Sequence, residues 1–168
     1  MSEDNEESTI PKILEKGTGT STIEEAVQKK IYISYSESLD NNYLVDLIKK
    51  FLTLLGFYPL SWRDAKSTPE LNLEIQRLIE ESVALIGLLT QDFKVQDENI
   101  FQPSGNIPNE IAWALASHLK VVLFYEKGTY IPSNVKGHYC NPFVKKQEFY
   151  AELLINLLDA LKKEGLLL

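Results

Sequence analysis

Glu110 stands in the segment Asn109-Glu110-Ile111-Ala112-Trp113-Ala114, where a helix opens after a long polar loop. Taken alone it is a first-turn acid that balances the helix dipole, and Trp113 taken alone is a core-packing residue. Two other stretches change that reading. Lys30-Ile31-Tyr32-Ile33-Ser34-Tyr35-Ser36 is strand-like and runs into small polar residues, while Trp62-Arg63 leaves a second short strand. An aromatic face, a guanidinium and an acid brought to one rim would hold a base, a phosphate and a sugar respectively. Everything then depends on the elements that carry them.

Residues 30–36 have the β-branched, aromatic and hydroxyl composition of a buried strand. Leu44, Leu47, Ile48, Phe51, Leu52 and Leu55 follow at helical spacing, with Gly56 at the cap position. Residues 57–62 are a short strand whose Pro59 suits a sheet edge. Polar residues 63–68 lead to a helix opened by Pro69, with Leu71, Ile75, Leu78 and Ile79 on one face. Residues 83–90 and 121–125 are continuous apolar runs, the mark of central parallel strands covered on both faces.

Between them lie the polar loop 91–106 and a helix from about Pro108 to His118, in which Ile111 and Leu115 share the core face and Glu110 and Trp113 share another flank. A loop with Gly128, Pro132 and Gly137 precedes a weak strand near 138–140. Phe149, Leu153, Leu157 and Leu161 line a closing helix. Strands alternating with helices give a parallel sheet with right-handed crossovers. The expected architecture is α/β and flavodoxin-like, a central parallel five-stranded sheet with helices on both faces and the ligand crevice beyond the strand carboxyl ends. That crevice is the rim to which Ser34–Ser36, Asp40, Trp62, Arg63 and Glu110 are assigned.

The chain has 168 residues and a formal charge of −7, which argues against general nucleic-acid binding. Residues 1–28 are acidic and rich in Ser, Thr and Gly, and read as a disordered tail or linker ahead of one domain over 29–168. Cys140 is the lone cysteine and suits a reducing compartment. No signal segment or bilayer-length apolar run is visible, so a soluble, cytoplasmic protein with no membrane partner is expected. Neither a dinucleotide-binding nor a phosphate-loop glycine motif occurs, and His118, His138 and Cys140 do not make a metal cluster.

The segment Ile31-Tyr32-Ile33-Ser34-Tyr35-Ser36 resembles the strand that opens Toll/interleukin-1 receptor (TIR) domains. Leu55-Gly56-Phe57, Trp62-Arg63-Asp64, residues 79–86, Leu89-Thr90-Gln91-Asp92, Asn109-Glu110 and Tyr125-Glu126-Lys127-Gly128 follow that family's order, closest to its prokaryotic nucleotide-binding branch. The resemblance implies a TIR-like NAD glycohydrolase, cleaving between nicotinamide and ribose, in prokaryotic defence or cell death. It implies Glu110 as the catalytic carboxylate, with Ser34, Tyr35, Ser36, Asp40, Trp62, Arg63, Asn109 and Trp113 contacting substrate. NAD would be the substrate and no cofactor is required; the family also implies self-association through this domain.

Two alternatives stand beside it. One is a non-catalytic nucleotide sensor or TIR–TIR adaptor. The other, ranked third, is a nucleoside deoxyribosyltransferase-like enzyme, which also has a similar sheet and uses a glutamate.

Overall fold

A computed structural model describes residues 28–66, 69–95, 100–133, 135 and 138–168. The acidic tail expected over 1–28 lies outside these residues except for Gln28, as do positions 96–99 of the polar loop and Gly137. The main sheet comprises β1 (Lys30–Ser34), β2 (Tyr58–Ser61), β3 (Ala84–Leu89), β6 (Lys120–Glu126) and β7 (Tyr139–Phe143). All its pairings are parallel, in the order β2-β1-β3-β6-β7. This is the flavodoxin-like arrangement, with its topological switch point between β1 and β3.

Alternation along β1 divides the core. Ile31 and Ile33 face α1 (Leu39–Leu54) and α4 (Tyr150–Lys163), packing with Leu44, Ile48, Leu52, Leu157 and Leu161. Tyr32 faces α2 (Leu71–Glu80) and α3 (Asn106–Ala116), packing with Ile75, Ile79, Ile107 and Ile111. All six residues of β3 are buried, as its unbroken apolar sequence requires of a strand covered on both sides.

Gly87 sits in β3 beside Ser34 of β1 and Leu123 of β6. A Cβ there would lie 2.7 Å from Leu123 Cδ2 and 3.5 Å from Ile111 Cδ1. The missing side chain therefore leaves room for Leu123 of the adjacent strand, while Ile111 of α3 would remain at ordinary contact distance.

One element was not legible in the sequence. The loop 91–106 carries a short antiparallel hairpin, β4 (Phe93–Lys94) with β5 (Phe101–Gln102). Two-residue strands leave too little alternation to see. The helix after it starts at Asn106 rather than Pro108, which puts the proline inside the first turn, where its missing N–H leaves no helical bond unmade.

Candidate active site

The site is built where β1 and β3 end. Ser36 leaves β1 and its Oγ donates to Asp92 Oδ1 (2.6 Å), while Thr90 Oγ1 donates to the same oxygen (2.8 Å). The other carboxylate oxygen, Asp92 Oδ2, accepts from the Ser104 backbone N–H at 2.7 Å. Asn41 Nδ2 of α1 reaches the Ser36 carbonyl (2.8 Å), Ser36 Oγ (3.0 Å) and Thr90 Oγ1 (3.2 Å). One carboxylate thus ties the end of β1, the end of β3 and the chain entering α3. Three segments are fixed to one another at the rim.

Trp62 is fixed from below. It begins a single 3-10 turn (Trp62–Asp64) whose Asp64 accepts from the Ser61 N–H (2.8 Å), Ser61 Oγ (3.0 Å) and Lys49 Nζ (2.9 Å). Its ring stands 6.4 Å from that of Tyr35, tilted by 41°. The Arg63 guanidinium lies over Trp62 at 5.4 Å and pairs with Glu37 at 3.5 Å.

Between these walls opens a cleft of about 240 Å³, lined by Tyr35, Ser36, Glu37, Trp62, Asn72, Ser104, Asn106 and Glu110, with Leu71 and Ile75 as its apolar side. Glu110 is its chemical centre. It shares the inward stripe of α3 with Ile107, Ile111 and Ala114 and is only 6% exposed. Tyr32 Oη donates to Glu110 Oε1 across 3.4 Å, a long contact for an O–H donor. Burial pushes the Glu110 carboxyl up to about 7, against the smaller opposing pull of the Ser34 and Tyr32 hydroxyls. Ser34 Oγ is itself fully buried and makes no hydrogen bond of ordinary geometry.

Burial first, and then the Glu110 charge, push the Tyr32 phenol far above its ordinary range. It therefore stays protonated and remains a donor. Burial likewise raises the Tyr35 phenol, whose buried oxygen makes no hydrogen bond of ordinary geometry.

The structure brings Tyr35, Ser36, Trp62 and Glu110 to one cleft, with Ser34 behind it. Asp40 and Asn109 are exposed outside its lining, and Arg63 sits on the outer side of Trp62. Trp113 is part-buried, packs against the core on the α2–α3 side and is not part of the cleft lining. Ile111 and Leu115 both pack against that core, as expected, but Glu110 lies on the buried stripe with Ile107, Ile111 and Ala114 rather than on a separate flank.

Sequence reasoning missed Tyr32, Asn41, Thr90, Asp92, Asn72, Ser104 and Asn106. The polar loop delivering the chain to α3 was the available signal for Ser104 and Asn106. Tyr32 had none, since its partner is 78 residues away, and the tie from Asp92 to Ser36 spans 56 residues. Among the described residues no group of three or more His, Cys, Asp or Glu could hold a metal, and no helix is long and apolar enough to cross a membrane.

No family model matches the chain, and no curated protein is similar to it in sequence. Solved structures do share its fold. The CMP N-glycosidase BcmB of Clostridium botulinum superposes with a TM-score of 0.52 at 16% identity, covering 77% of this chain and 98% of that one. A 2-deoxyribosyltransferase of Bacillus psychrosaccharolyticus gives 0.53 at 15% identity, over 74% of this chain and 90% of that one.

These findings overturn the resemblance to TIR domains, and with it the expected role in antiviral defence. The physical reason is that the quoted strand motifs report a scaffold: an apolar β1 is what any chain needs to place a strand inside this sheet order. They do not separate one family on that sheet from another.

Proposed function

We propose that this chain breaks the N-glycosidic bond of a nucleoside or nucleotide, with Glu110 as the group that receives the sugar. The observation that carries this reading is the buried Glu110 carboxyl, raised to about 7 and held by Tyr32 on the floor of the switch-point cleft. A carboxylate poised there is suited to attack an anomeric carbon or to stabilise an oxocarbenium beside it. The two solved enzymes of similar fold, named for glycosidase and deoxyribosyltransferase activity, support the same class of bond.

In the proposed cycle the ionised Glu110 oxygen bonds to C1′ of the sugar. The C1′–N bond breaks and the base departs with its electron pair. Water then attacks C1′ and releases Glu110 as the carboxylate, the water proton passing to the nitrogen of the departed base, giving hydrolysis; a second base in place of water, giving up its N–H proton in the same way, gives transfer. Tyr32, held protonated, donates to the carboxylate and orients it throughout. Trp62 and Tyr35 offer aromatic faces for the base, and Asn72 and Asn106 offer amides for its polar edge. The cleft volume lies below the ~300 Å³ at which drug-sized pockets begin, so it favours one nucleoside unit over an enclosed dinucleotide.

The test is incubation with a panel of ribonucleosides, deoxyribonucleosides, their 5′-monophosphates and NAD, with freed base or nicotinamide followed by chromatography. Base release that drops at least a thousandfold in Glu110→Gln is expected, the scale of losing a catalytic nucleophile. Release undiminished in that variant would remove Glu110 from the role, and no release from any panel member would overturn the reading.

A further inference from the structure

We propose that Glu37 is the specificity-determining residue of the cleft: it excludes 5′-phosphorylated substrates and restricts the site to uncharged nucleosides. This rests on the glycosidic reading above and deepens it. Among the described residues lining the cleft, the charged ones are Glu37 and Glu110, both acidic. The cation within reach is Arg63, and it is already engaged twice, over the Trp62 ring and against Glu37. A phosphate entering beside Trp62 meets the Glu37 carboxylate, and would have to displace that carboxylate to gain the guanidinium. An uncharged sugar hydroxyl meets no such barrier and finds two acceptors.

Geometry makes this a filter rather than a brace. The Glu37–Arg63 pair is long, at 3.5 Å, and its side chains are 63% and 37% exposed. Pairs of that kind contribute little to folding, so Glu37 can be changed without unfolding the chain. Removing its charge does two things at once: the repulsion disappears, and Arg63 is freed to offer a planar fork to phosphate oxygens.

The experiment compares each nucleoside with its own 5′-monophosphate in the wild type, Glu37→Gln and the double variant Glu37→Gln/Arg63→Ala. Cleavage gives kcat/KM, and quenching of tryptophan fluorescence gives binding independently of turnover. The wild type is expected to prefer the nucleoside, and the preference should shrink in 1 M salt, where the screening length falls to about 3 Å. Glu37→Gln should raise the monophosphate-to-nucleoside ratio about tenfold, the effect of one nearby charge at a partly solvated site. The double variant should lose that gain.

A wild type that handles the monophosphate at least as well as the nucleoside would overturn the proposal. So would a Glu37→Gln ratio equal to that of the wild type. Either result leaves base release, and the glycosidic reading, intact. If neither compound is cleaved or bound, the glycosidic reading fails and this proposal fails with it.

Discussion

Tyr32 and Glu110 meet inside the protein, phenol to carboxylate at 3.4 Å, although 78 residues separate them. The contact joins the middle of the inner strand β1 to the buried acid of α3. It places a donor on a carboxyl whose ionisation is opposed by burial. Burial dominates how little of Glu110 is charged near neutral pH, and the Ser34 and Tyr32 hydroxyls oppose it.

Removal of the phenol tests that coupling. In Tyr32→Phe the ring keeps its packing against Ile75, Ile79 and Ile111, but the donor that favours the ionised carboxylate is gone. The Glu110 pKa should move further up. Since the proposed step needs the ionised form, kcat/KM at pH 7 should fall about tenfold, on the scale of one hydrogen bond to a charged group. The pH–rate profile should keep its rising limb but shift it to higher pH, so that raising the pH restores part of the loss. An unshifted limb would show that Tyr32 does not tune Glu110.

The same carboxyl should shape stability against pH. Its folded pKa of about 7 lies above its ordinary 4.5. Between those values the folded state holds more protons than the unfolded one, so stability falls as pH rises through that window. The contribution is fully present below about 4.5 and lost above about 7. The full difference corresponds to about 3 kcal/mol for a group this buried. Glu110→Gln carries no such titration. Urea denaturation from pH 4.5 to 8.5 should therefore show the wild type losing stability relative to the variant, with a plateau above pH 8. Parallel curves would rule out the raised pKa.

Much of this scaffold is written in the order of residue types along the chain. Two unbroken apolar runs, 83–90 and 121–125, can be little other than central parallel strands, and the intervening helices fix the crossovers. From that topology alone, Glu110 and Ser36 fall on one rim. What is hidden depends on contacts rather than on order. A glutamate among Ile107, Ile111 and Ala114 interrupts the apolar pattern, so its place on the inward stripe is concealed by its own polarity. Tyr32 looks like any strand aromatic until α3 lands on it. Gly87 looks like a weak point in β3, although its missing Cβ makes room for Leu123 of β6. The resemblance to one family misleads because an apolar strand is a demand of the sheet and does not by itself mark a family.

Asp92 offers the last test, of a residue that holds the rim without lining the cleft. Its carboxylate accepts from Ser36, Thr90 and the Ser104 N–H, and Ser36 and Ser104 are both cleft residues. In Asp92→Ala the two hydroxyls retain only each other, at 3.0 Å, together with Asn41, and the Ser104 N–H loses its acceptor. Hydrogen bonds to a charged group contribute about 1.5–3 kcal/mol each before compensation by water. At this part-buried position a net loss of about 2 kcal/mol is expected in urea denaturation. Freed from that anchor, Ser36 and Ser104 should hold substrate less well, raising KM roughly tenfold with a smaller change in kcat. Asp92→Asn keeps one acceptor oxygen, so it should recover part of both effects. Because Asp92 is not among the groups that move the Glu110 pKa, the midpoint of the pH–rate limb should stay where it is in the wild type. A shifted midpoint would place Asp92 in the proton balance of the site; a fall in kcat with KM untouched would place it in the chemical step.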